Sequence, residues 1–259
     1  MDPIRKFKDE IAANIDSLAG DKDLQALSRI WVREITRHKY AYNFAWLGRP
    51  VIQFPQDTVA LQELIWNVKP DLIIETGIAH GGSLIFSASM LAMLDITDAI
   101  TEGVTMNPRV SRRKVLGIDI DIREHNRREI EAHPMASWIQ MIQGSSTDPE
   151  TVKAVHAVAE NYSRILICLD SNHTHDHVLG ELKAYAPLTS LGSYCIVFDT
   201  LIEDMPNETI VDRPWAPGNN PKTAVWEYLQ THPEFEIDAA VQHKLLITVA
   251  PDGYLRRIA

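Results

Sequence analysis

The stretch that most constrains the fold is residues 72–83, LIIETGIAHGGS. Its short apolar run ends at Glu75, and its glycines precede the long apolar segment LIFSASMLAML. A short apolar run beside glycines is typical of a buried strand, and the longer segment predicts a helix. Glycine permits a tight turn and a close backbone approach to a ligand. We therefore expect a nucleotide-type pocket where this strand ends and the helix begins.

This turn lacks the dinucleotide-binding fingerprint. Gly77 and Gly81 are four residues apart, and G-x-G-x-x-G does not occur in the chain. A strand-to-helix turn whose glycines serve only packing remains the alternative interpretation.

Apolar segments of strand length alternate with helical ones through the rest of the chain. Helical crossovers between successive strands require a parallel sheet. A last pair of strands within 235–259, joined by no helix, should pair antiparallel at one edge. The predicted fold is a doubly wound, mostly parallel α/β sandwich with an antiparallel edge. Its parallel strands are predicted at 72–75, 115–121, 138–146, 164–170 and 193–200.

Residues 1–55 are predicted to form an N-terminal helical extension, and residues 56–259 the α/β domain. The helical pattern reaches residue 47, and its aromatic residues fit either the core or one wall of a substrate pocket. Asp57 is the predicted N-cap of the next helix, which Pro70 ends.

Composition excludes some partners. The 259-residue chain has 25 basic and 35 acidic residues and a net charge of −10, so no basic surplus offsets the phosphates of nucleic acid or anionic membranes. We expect no signal peptide and no apolar run of the roughly 20 residues that span a membrane. Cys168 and Cys195 lie in apolar runs, which favours reduced, buried thiols in the cytoplasm.

Acidic residues end four of the five predicted parallel strands, namely Glu75, Asp119, Asp170 and Asp199. The carboxyl ends of parallel strands meet at one edge of a sheet, where open α/β proteins bind ligands. The four carboxylates should therefore lie along one rim.

The second and third strand ends suit the two parts of a nucleoside. Asp119 can accept hydrogen bonds from both hydroxyls of a ribose, with a simple cap as the alternative. Ser145 and Ser146 can face an adenine, although polar residues are also common in such turns.

The segment 170–177, DSNHTHDH, is the richest in chemistry. If the fourth and fifth strands are adjacent, Asp170 and Asp199 converge to hold a hard divalent cation. His173 follows Asp170 closely enough to take a proton from a substrate hydroxyl. His175 and His177 are expected on the first turn of the next helix, in surface or structural roles.

A zinc hydrolase is the competing interpretation of the same histidines. The run of His173, His175, Asp176 and His177 is one residue short of the His-x-His-x-Asp-His signature of metallo-β-lactamase-type enzymes. The alternating strand–helix pattern also differs from their architecture, so we disfavour this interpretation.

With these residues assembled, the chain resembles the cephalosporin hydroxylase family over about residues 40–259. The ordered blocks that carry the resemblance include WLGRPVIQFPQD, PDLIIETGIAHGGSLIF, LGIDIDIR, IQGSS, LDSNHTHDHVLGELKAYAPL, YCIVFDT and RPWAPGNNPKTAV. Members are similar to S-adenosylmethionine-dependent, divalent-metal O-methyltransferases, including those acting on rhamnosyl and macrolide sugars. The resemblance implies a class I methyltransferase Rossmann-like fold, with S-adenosyl-L-methionine and Mg²⁺ or another divalent cation as cofactors.

The same resemblance implies roles by position. Asp170 and Asp199 match metal ligands, and His173 matches the general base. Glu75, Gly77 and Gly81 would line the methionine end of the cofactor, with Asp119 on the ribose and Ser145 near the adenine. The implied cofactor-binding set is Glu75, Gly77, Gly81, Ser83, Asp119, Ser145 and Asp170.

One position departs from the family pattern. Related methyltransferases tend to place two adjacent metal ligands at the fifth strand end, whereas here the pair is Phe198–Asp199 or Asp199–Thr200. The second choice makes Thr200 a weak hydroxyl ligand, and Glu203 or Asp204 are possible substitutes from the loop.

The leading functional hypothesis is methyl transfer to a hydroxyl of a small sugar-like or glycosylated acceptor. The Pro-rich loop at 201–221 is expected to fold over the acceptor, with Trp215 stacking against a ring. The alternative is a non-catalytic, cofactor-binding accessory protein that assists an oxygenase. We expect a homo-oligomer.

Overall fold

The computed structural model describes residues 2–207 and 212–259. The strands are β1 Phe44–Trp46, β2 Arg49–Val51, β3 Leu72–Thr76, β4 Lys114–Asp119, β5 Ile139–Gln143, β6 Ile165–Leu169, β7 Tyr194–Val197, β8 Phe235–Ile237 and β9 Tyr254–Arg257. The helices are α1 Pro3–Gly20, α2 Lys22–Arg37, α3 Pro55–Val68, α4 Gly82–Glu102, α5 Glu124–Glu131, α6 Pro149–Ala159, α7 His175–Tyr185, α8 Pro221–Leu229 and α9 Ala239–Leu245.

Within the described residues, β3 to β9 form one sheet in the order β5-β4-β3-β6-β7-β9-β8. Neighbouring strands from β5 to β7 are parallel, and β9 runs antiparallel to both β7 and β8. The predicted antiparallel edge is therefore confirmed. The chain leaves β3 toward β4 on one side and later returns to β6 on the other, which makes a switch point between β3 and β6.

Both faces of the sheet are buried, which explains why the central strands are continuous apolar runs. Ile73 packs with residues of α3 and α4 on one face. Its neighbours Leu72 and Ile74 pack with residues of α6, α7 and α8 on the other. The doubly wound sandwich predicted from the sequence is thus confirmed.

Three local predictions are wrong. Residues 44–46 are a strand rather than helix, because they pair with β2 in an antiparallel hairpin. The final strands are separated by the short helix α9. Helix α3 begins at Pro55 with Phe54 as its N-cap, and the Asp57 carboxylate instead accepts hydrogen bonds from Val249 N, the Tyr254 hydroxyl and the Thr248 hydroxyl.

Helix α4 also departs from the prediction that no apolar run reaches membrane-spanning length. It has 21 residues, and by length and composition it is apolar enough to cross a bilayer. Half of its most apolar window is buried inside the protein. Its first residue, Gly82, packs so tightly on the β1–β2 hairpin that a Cβ there would collide with the Pro50 carbonyl.

Candidate active site

A cavity of about 640 Å³ opens where β3, β4, β6 and β7 end. The turn between β3 and α4 forms its floor, and its walls are formed by the segment before β1, the segment after β2 and the loop before α8. The cavity therefore lies at the switch point of the sheet, where open α/β folds bind ligands. Four of the predicted site residues that line it are Gly77, Asp119, Asp170 and Asp199.

The β3–α4 turn requires glycine at two positions. Gly77 has a φ of +89°, and a Cβ there would collide with the Asp170 carbonyl, so no other residue lets the β3 and β6 ends approach this closely. Gly81 has a φ of +82°, and its Cβ would meet the Ile130 side chain. Gly77 lies on the cavity wall, whereas Gly81 supports the turn from behind.

Asp119 holds this turn in place. Its Oδ2 accepts hydrogen bonds from the Ile78 and Ala79 amides at 2.8 and 3.3 Å, and its Oδ1 accepts one from the Asp121 amide at 3.0 Å. A carboxylate offers about four acceptor sites, so Asp119 retains capacity toward a ligand in the cavity. Asp119 can therefore hold the backbone amides of the turn and still accept hydrogen bonds from a ribose, as the sequence predicts.

Glu75 lies under the turn, at 4% exposure. Burial raises the pKa of its carboxyl to about 7, and the hydrogen bond donated by Ser83 opposes that rise. Glu75, Ser83 and Asp170 share a second, small cavity of about 20 Å³ beneath the main one. That volume is of the order needed for a single water-sized group.

Asp170, His173 and Asp199 form a cluster whose ligand atoms lie within 4.8 Å of one another. Loss of hydration, and then the charges of Asp199, Glu75 and Glu181, raise the pKa of Asp170 well above its ordinary value. Two carboxylates and an imidazole are a donor set suited to a divalent metal ion. A cation would offset the mutual repulsion of these acids, so the residues present fit a divalent metal.

His173 is held in a fixed orientation. Its Nε2 lies 3.2 Å from Asp199 Oδ2, and its ring packs edge-on against Trp215 with centroids 4.7 Å apart. When Nε2 carries the proton and donates it to Asp199, Nδ1 is left as an acceptor. The His173–Asp199 pair therefore has the arrangement of a base oriented by a carboxylate.

The walls of the main cavity are aromatic and basic. Tyr40 and Tyr42, from the segment before β1, and Trp215, from the loop before α8, line it. Arg213 also lines it, with its guanidinium 5.2 Å from the centre of the Trp215 ring. Part of the predicted covering loop, residues 208–211, lies outside the described residues.

Several predicted residues do not reach the cluster. Thr200 is fully buried, and its hydroxyl donates to the Pro251 carbonyl. Glu203 accepts a hydrogen bond from the Gly218 amide, and Asp204 pairs with Lys222 at 2.8 Å. Among the described residues, none that follows Asp199 joins Asp170 and Asp199, and the third member of the cluster is His173.

The residues after β5 stand slightly apart from the main cavity. Ser145 bonds Thr147, and Ser146 is 5% exposed and bonds His177. The structure does not bring Ser145 to the wall of the cavity.

The other two histidines of the 170–177 segment bond residues outside the cluster. His175 bridges to Thr223 and Glu227 of α8, and His177 contacts Ser146 and Ser171. Within 2–207 and 212–259, His175 and His177 belong to no metal-binding group with His173. In the described part of the chain, the histidines therefore do not form the common metal site that the zinc-hydrolase alternative requires.

Gln53 was missed by the sequence reasoning. Its side-chain Nε2 lies 3.4 Å from Asp170 Oδ2, and the residue lines both cavities. It belongs to the block WLGRPVIQFPQD, which the sequence analysis connected only with the family resemblance. That block was the one sign in the sequence that Gln53 could matter. Its contact with Asp170 could not be predicted from the sequence, because the two residues are more than a hundred positions apart.

Comparison with solved structures agrees with the fold. A structure of CmcI with magnesium and S-adenosylmethionine matches with a TM-score of 0.54 and 19% identity, over 84% of this chain and 78% of that chain. An apo structure of CmcI matches with a TM-score of 0.55 and 21% identity, over 84% and 77%. At this identity the match concerns the fold, which is the predicted class I methyltransferase fold.

Sequence comparison establishes the family. The rhamnosyl O-methyltransferase of Mycobacterium tuberculosis (strain H37Rv) is 28% identical over 228 residues, which are 85% of this chain and 83% of the relative. The Mycobacterium leprae rhamnosyl O-methyltransferase is also 28% identical, over 85% of this chain and 88% of the relative. The model of the family described as Rhamnosyl O-methyltransferase/CmcI matches residues 38–258. The resemblance found in the sequence is thereby confirmed, and the chain belongs to the rhamnosyl O-methyltransferase/CmcI family.

Proposed function

We propose that this protein is an S-adenosylmethionine-dependent O-methyltransferase that methylates a hydroxyl of a sugar or a small glycosylated acceptor, with a divalent cation assisting. The observation that carries the proposal is the cluster of Asp170, His173 and Asp199 on the wall of a cavity at the switch point of the sheet. Membership of the rhamnosyl O-methyltransferase/CmcI family supports the same reaction.

The two cofactors have separate places in this proposal. S-adenosylmethionine supplies a methyl group on a sulfonium, and a divalent cation supplies positive charge that makes an acceptor hydroxyl easier to deprotonate. Gly77, Asp119 and the β3–α4 turn would hold the nucleoside and its methionine portion, with Glu75 and Ser83 beneath. Asp170 and Asp199 would hold the cation.

The chain's own residues then have two tasks. The cavity aligns the acceptor oxygen with the methyl group, and alignment of this kind can be worth ~7–11 kcal/mol. His173, oriented by Asp199, takes the hydroxyl proton, a step that contributes ~10²–10⁴-fold. The displacement forms a carbon–oxygen bond and breaks the carbon–sulfur bond, so no further redox partner is needed.

The acceptor side of the cavity suits a sugar ring with a larger substituent. Tyr40, Tyr42 and Trp215 provide large surfaces, and the tyrosines and tryptophan also carry polar tips that can hydrogen-bond hydroxyl groups. Lys39 and Arg213 add positive charge to the wall of a protein that is otherwise acidic.

The test is a transfer assay with S-adenosylmethionine labelled in its methyl group. Rhamnosides, nucleotide-activated sugars and glycosylated small molecules are offered as acceptors, with magnesium or with a chelator. We expect label in a sugar ether, and we expect the chelator to suppress it. Binding of S-adenosylmethionine without transfer to any acceptor would instead favour the accessory-protein alternative.

Three further points stay proposals. We propose a cytoplasmic location, because Cys168 and Cys195 are free and buried. We propose that the protein is a homo-oligomer and that residues 1–55 form an N-terminal extension of the domain of residues 56–259.

A further inference from the structure

The side-chain amide of Gln53 forms only one of the hydrogen bonds it could form. The residue lies between β2 and α3 at 9% exposure. Its Nε2 faces Asp170 Oδ2, whereas its Oε1 is buried and has no hydrogen-bond partner in the described part of the chain. In this orientation the amide NH₂ group faces Asp170 and the acceptor oxygen points away from it. A buried acceptor left without a donor is costly.

Three carboxyl groups, those of Asp57, Glu75 and Asp170, share the small cavity with Gln53, and the rest of its lining is mostly apolar. The two hydroxyls there are already used, because Ser83 donates to Glu75 and Thr58 donates to the Phe54 carbonyl. Among the described residues, His173 and Asp199 do not line this small cavity. A ligand group that satisfies the Gln53 oxygen beside these carboxyl groups would carry N–H donors and a positive charge, as an ammonium does.

The main cavity brings such a group within reach. Gln53, Ser83 and Asp170 line both cavities, so a ligand seated against Gly77 and Ser83 extends toward the Gln53 carbonyl. The methionine portion of S-adenosylmethionine ends in a primary ammonium, whereas its nucleoside portion has no cationic N–H group.

We infer that Gln53 binds the cofactor: its carbonyl accepts a hydrogen bond from the methionine ammonium while its NH₂ group holds Asp170. This inference rests on the proposed function and deepens it. The Gln53 amide then connects the methionine end of the cofactor with the Asp170 carboxyl of the metal cluster. The site would therefore bind ligands that carry the amine more tightly than ligands that lack it.

The experiment measures binding by calorimetry rather than by activity. The ligands are S-adenosylhomocysteine, its decarboxylated analogue, which keeps the amine, and 5′-methylthioadenosine, which lacks the whole amino-acid portion. The proteins are the wild type, Gln53→Met and the control Gln56→Met. Gln56 is a matched control, because its Oε1 is also buried without a hydrogen-bond partner in the described part of the chain, but the residue lines neither cavity.

We expect Gln53→Met to weaken both amine-bearing ligands roughly ten- to hundredfold, as for the loss of a hydrogen bond to a charged group. Methylthioadenosine affinity should stay within about twofold, and Gln56→Met should change none of the three. If Gln53→Met does not fold, Gln53→Asn makes the same comparison, because its shorter amide cannot reach both partners.

The outcomes separate the two proposals. A wild-type protein that binds no S-adenosylhomocysteine contradicts the proposed function itself. A wild-type protein that binds it, with unchanged affinity in the folded Gln53 variant, overturns only the role of Gln53. Equal weakening of all three ligands also overturns that role, because it would indicate a general distortion of the cavity.

Discussion

Two carboxyl groups line the small cavity, those of Asp57 and Asp170, and they differ in what surrounds them. Asp57 is 1% exposed and accepts hydrogen bonds from Thr248, Val249 and Tyr254. Asp170 faces the acids Asp199, Glu75 and Glu181, and its one side-chain donor in the described chain is the distant amide of Gln53.

The difference separates a structural acid from a functional one. The partners of Asp57 belong to the protein, so the carboxyl ties α3 to the segment before β9 whether or not a ligand is present. Asp170 lacks such partners, and its charge is offset only when a cation joins the cluster with His173 and Asp199.

Asp170→Asn should have the largest effect on activity. The change removes a cation ligand, so methyl transfer should fall by more than the ~10²–10⁴-fold that a general base contributes. The melting temperature of the variant should stay equal or rise, because position 170 no longer repels the acids Asp199, Glu75 and Glu181. The control is Asp121→Asn, an exposed acid beyond β4. A strongly lowered melting temperature in Asp170→Asn would place Asp170 with the structural acids.

His173→Ala should lower kcat by ~10²–10⁴-fold and leave S-adenosylhomocysteine affinity nearly unchanged. The reason is that His173 acts on the acceptor proton rather than on the cofactor. His175→Ala is the matched control, since that ring bonds Thr223 and Glu227 of α8. Steady-state kinetics and calorimetry measure the two quantities, and equal activity in both variants would remove His173 from its role.

Asp57→Ala should destabilise the fold by roughly 3 kcal/mol, because it leaves the Val249 amide and two hydroxyls buried without an acceptor. Urea unfolding measures this. Asp57→Asn should cost less, since one amide oxygen can still accept. A neutral result for Asp57→Ala would mean that the network contributes nothing, and the contrast with Asp170 would disappear.

Glu75 should make stability depend on pH. The pKa of its carboxyl is about 7 in the folded protein and 4.5 ordinarily. Between these values the folded state keeps a proton that the unfolded state releases, so stability falls as pH rises, by at most about 1.4 kcal/mol per pH unit. Below pH 4.5 and above pH 7 this contribution is flat. Glu75→Gln should reduce the slope in urea unfolding across that window, and an unchanged slope would contradict the burial argument.

Thr200→Val should have the smallest effect on the site. Its hydroxyl donates to the Pro251 carbonyl and not to the cluster, so cation affinity should stay within about twofold while stability falls by about 1 kcal/mol. Manganese titration of the variant checks this. A large loss of affinity would restore Thr200 as the second ligand after Asp199.

Most of the fold could be predicted because hydrophobic periodicity is a local signal. The apolar run at β3, buried on both faces, and the glycines after it placed the switch point correctly. The hairpin β1–β2 was missed because its strands are three residues long and are stabilised by packing on α4, which periodicity does not record.

The candidate site was predictable where it follows strand ends and not where it depends on distant contacts. Asp119, Asp170 and Asp199 reach one rim because parallel strands end together. Thr200 could not be placed from the sequence, since the left-handed backbone at Asp199, with a φ of +56°, turns the next residue into the core. Gln53 meets Asp170 only through tertiary packing.

The most direct measurement is a titration of the protein with Mn²⁺, followed by the paramagnetic signal of the free ion, in the wild type and in Asp199→Asn. We expect one site per chain in the wild type and a loss of affinity of at least tenfold in the variant. A wild-type protein without such a site, or a variant that binds Mn²⁺ equally well, would contradict a cation held at the meeting point of β6 and β7.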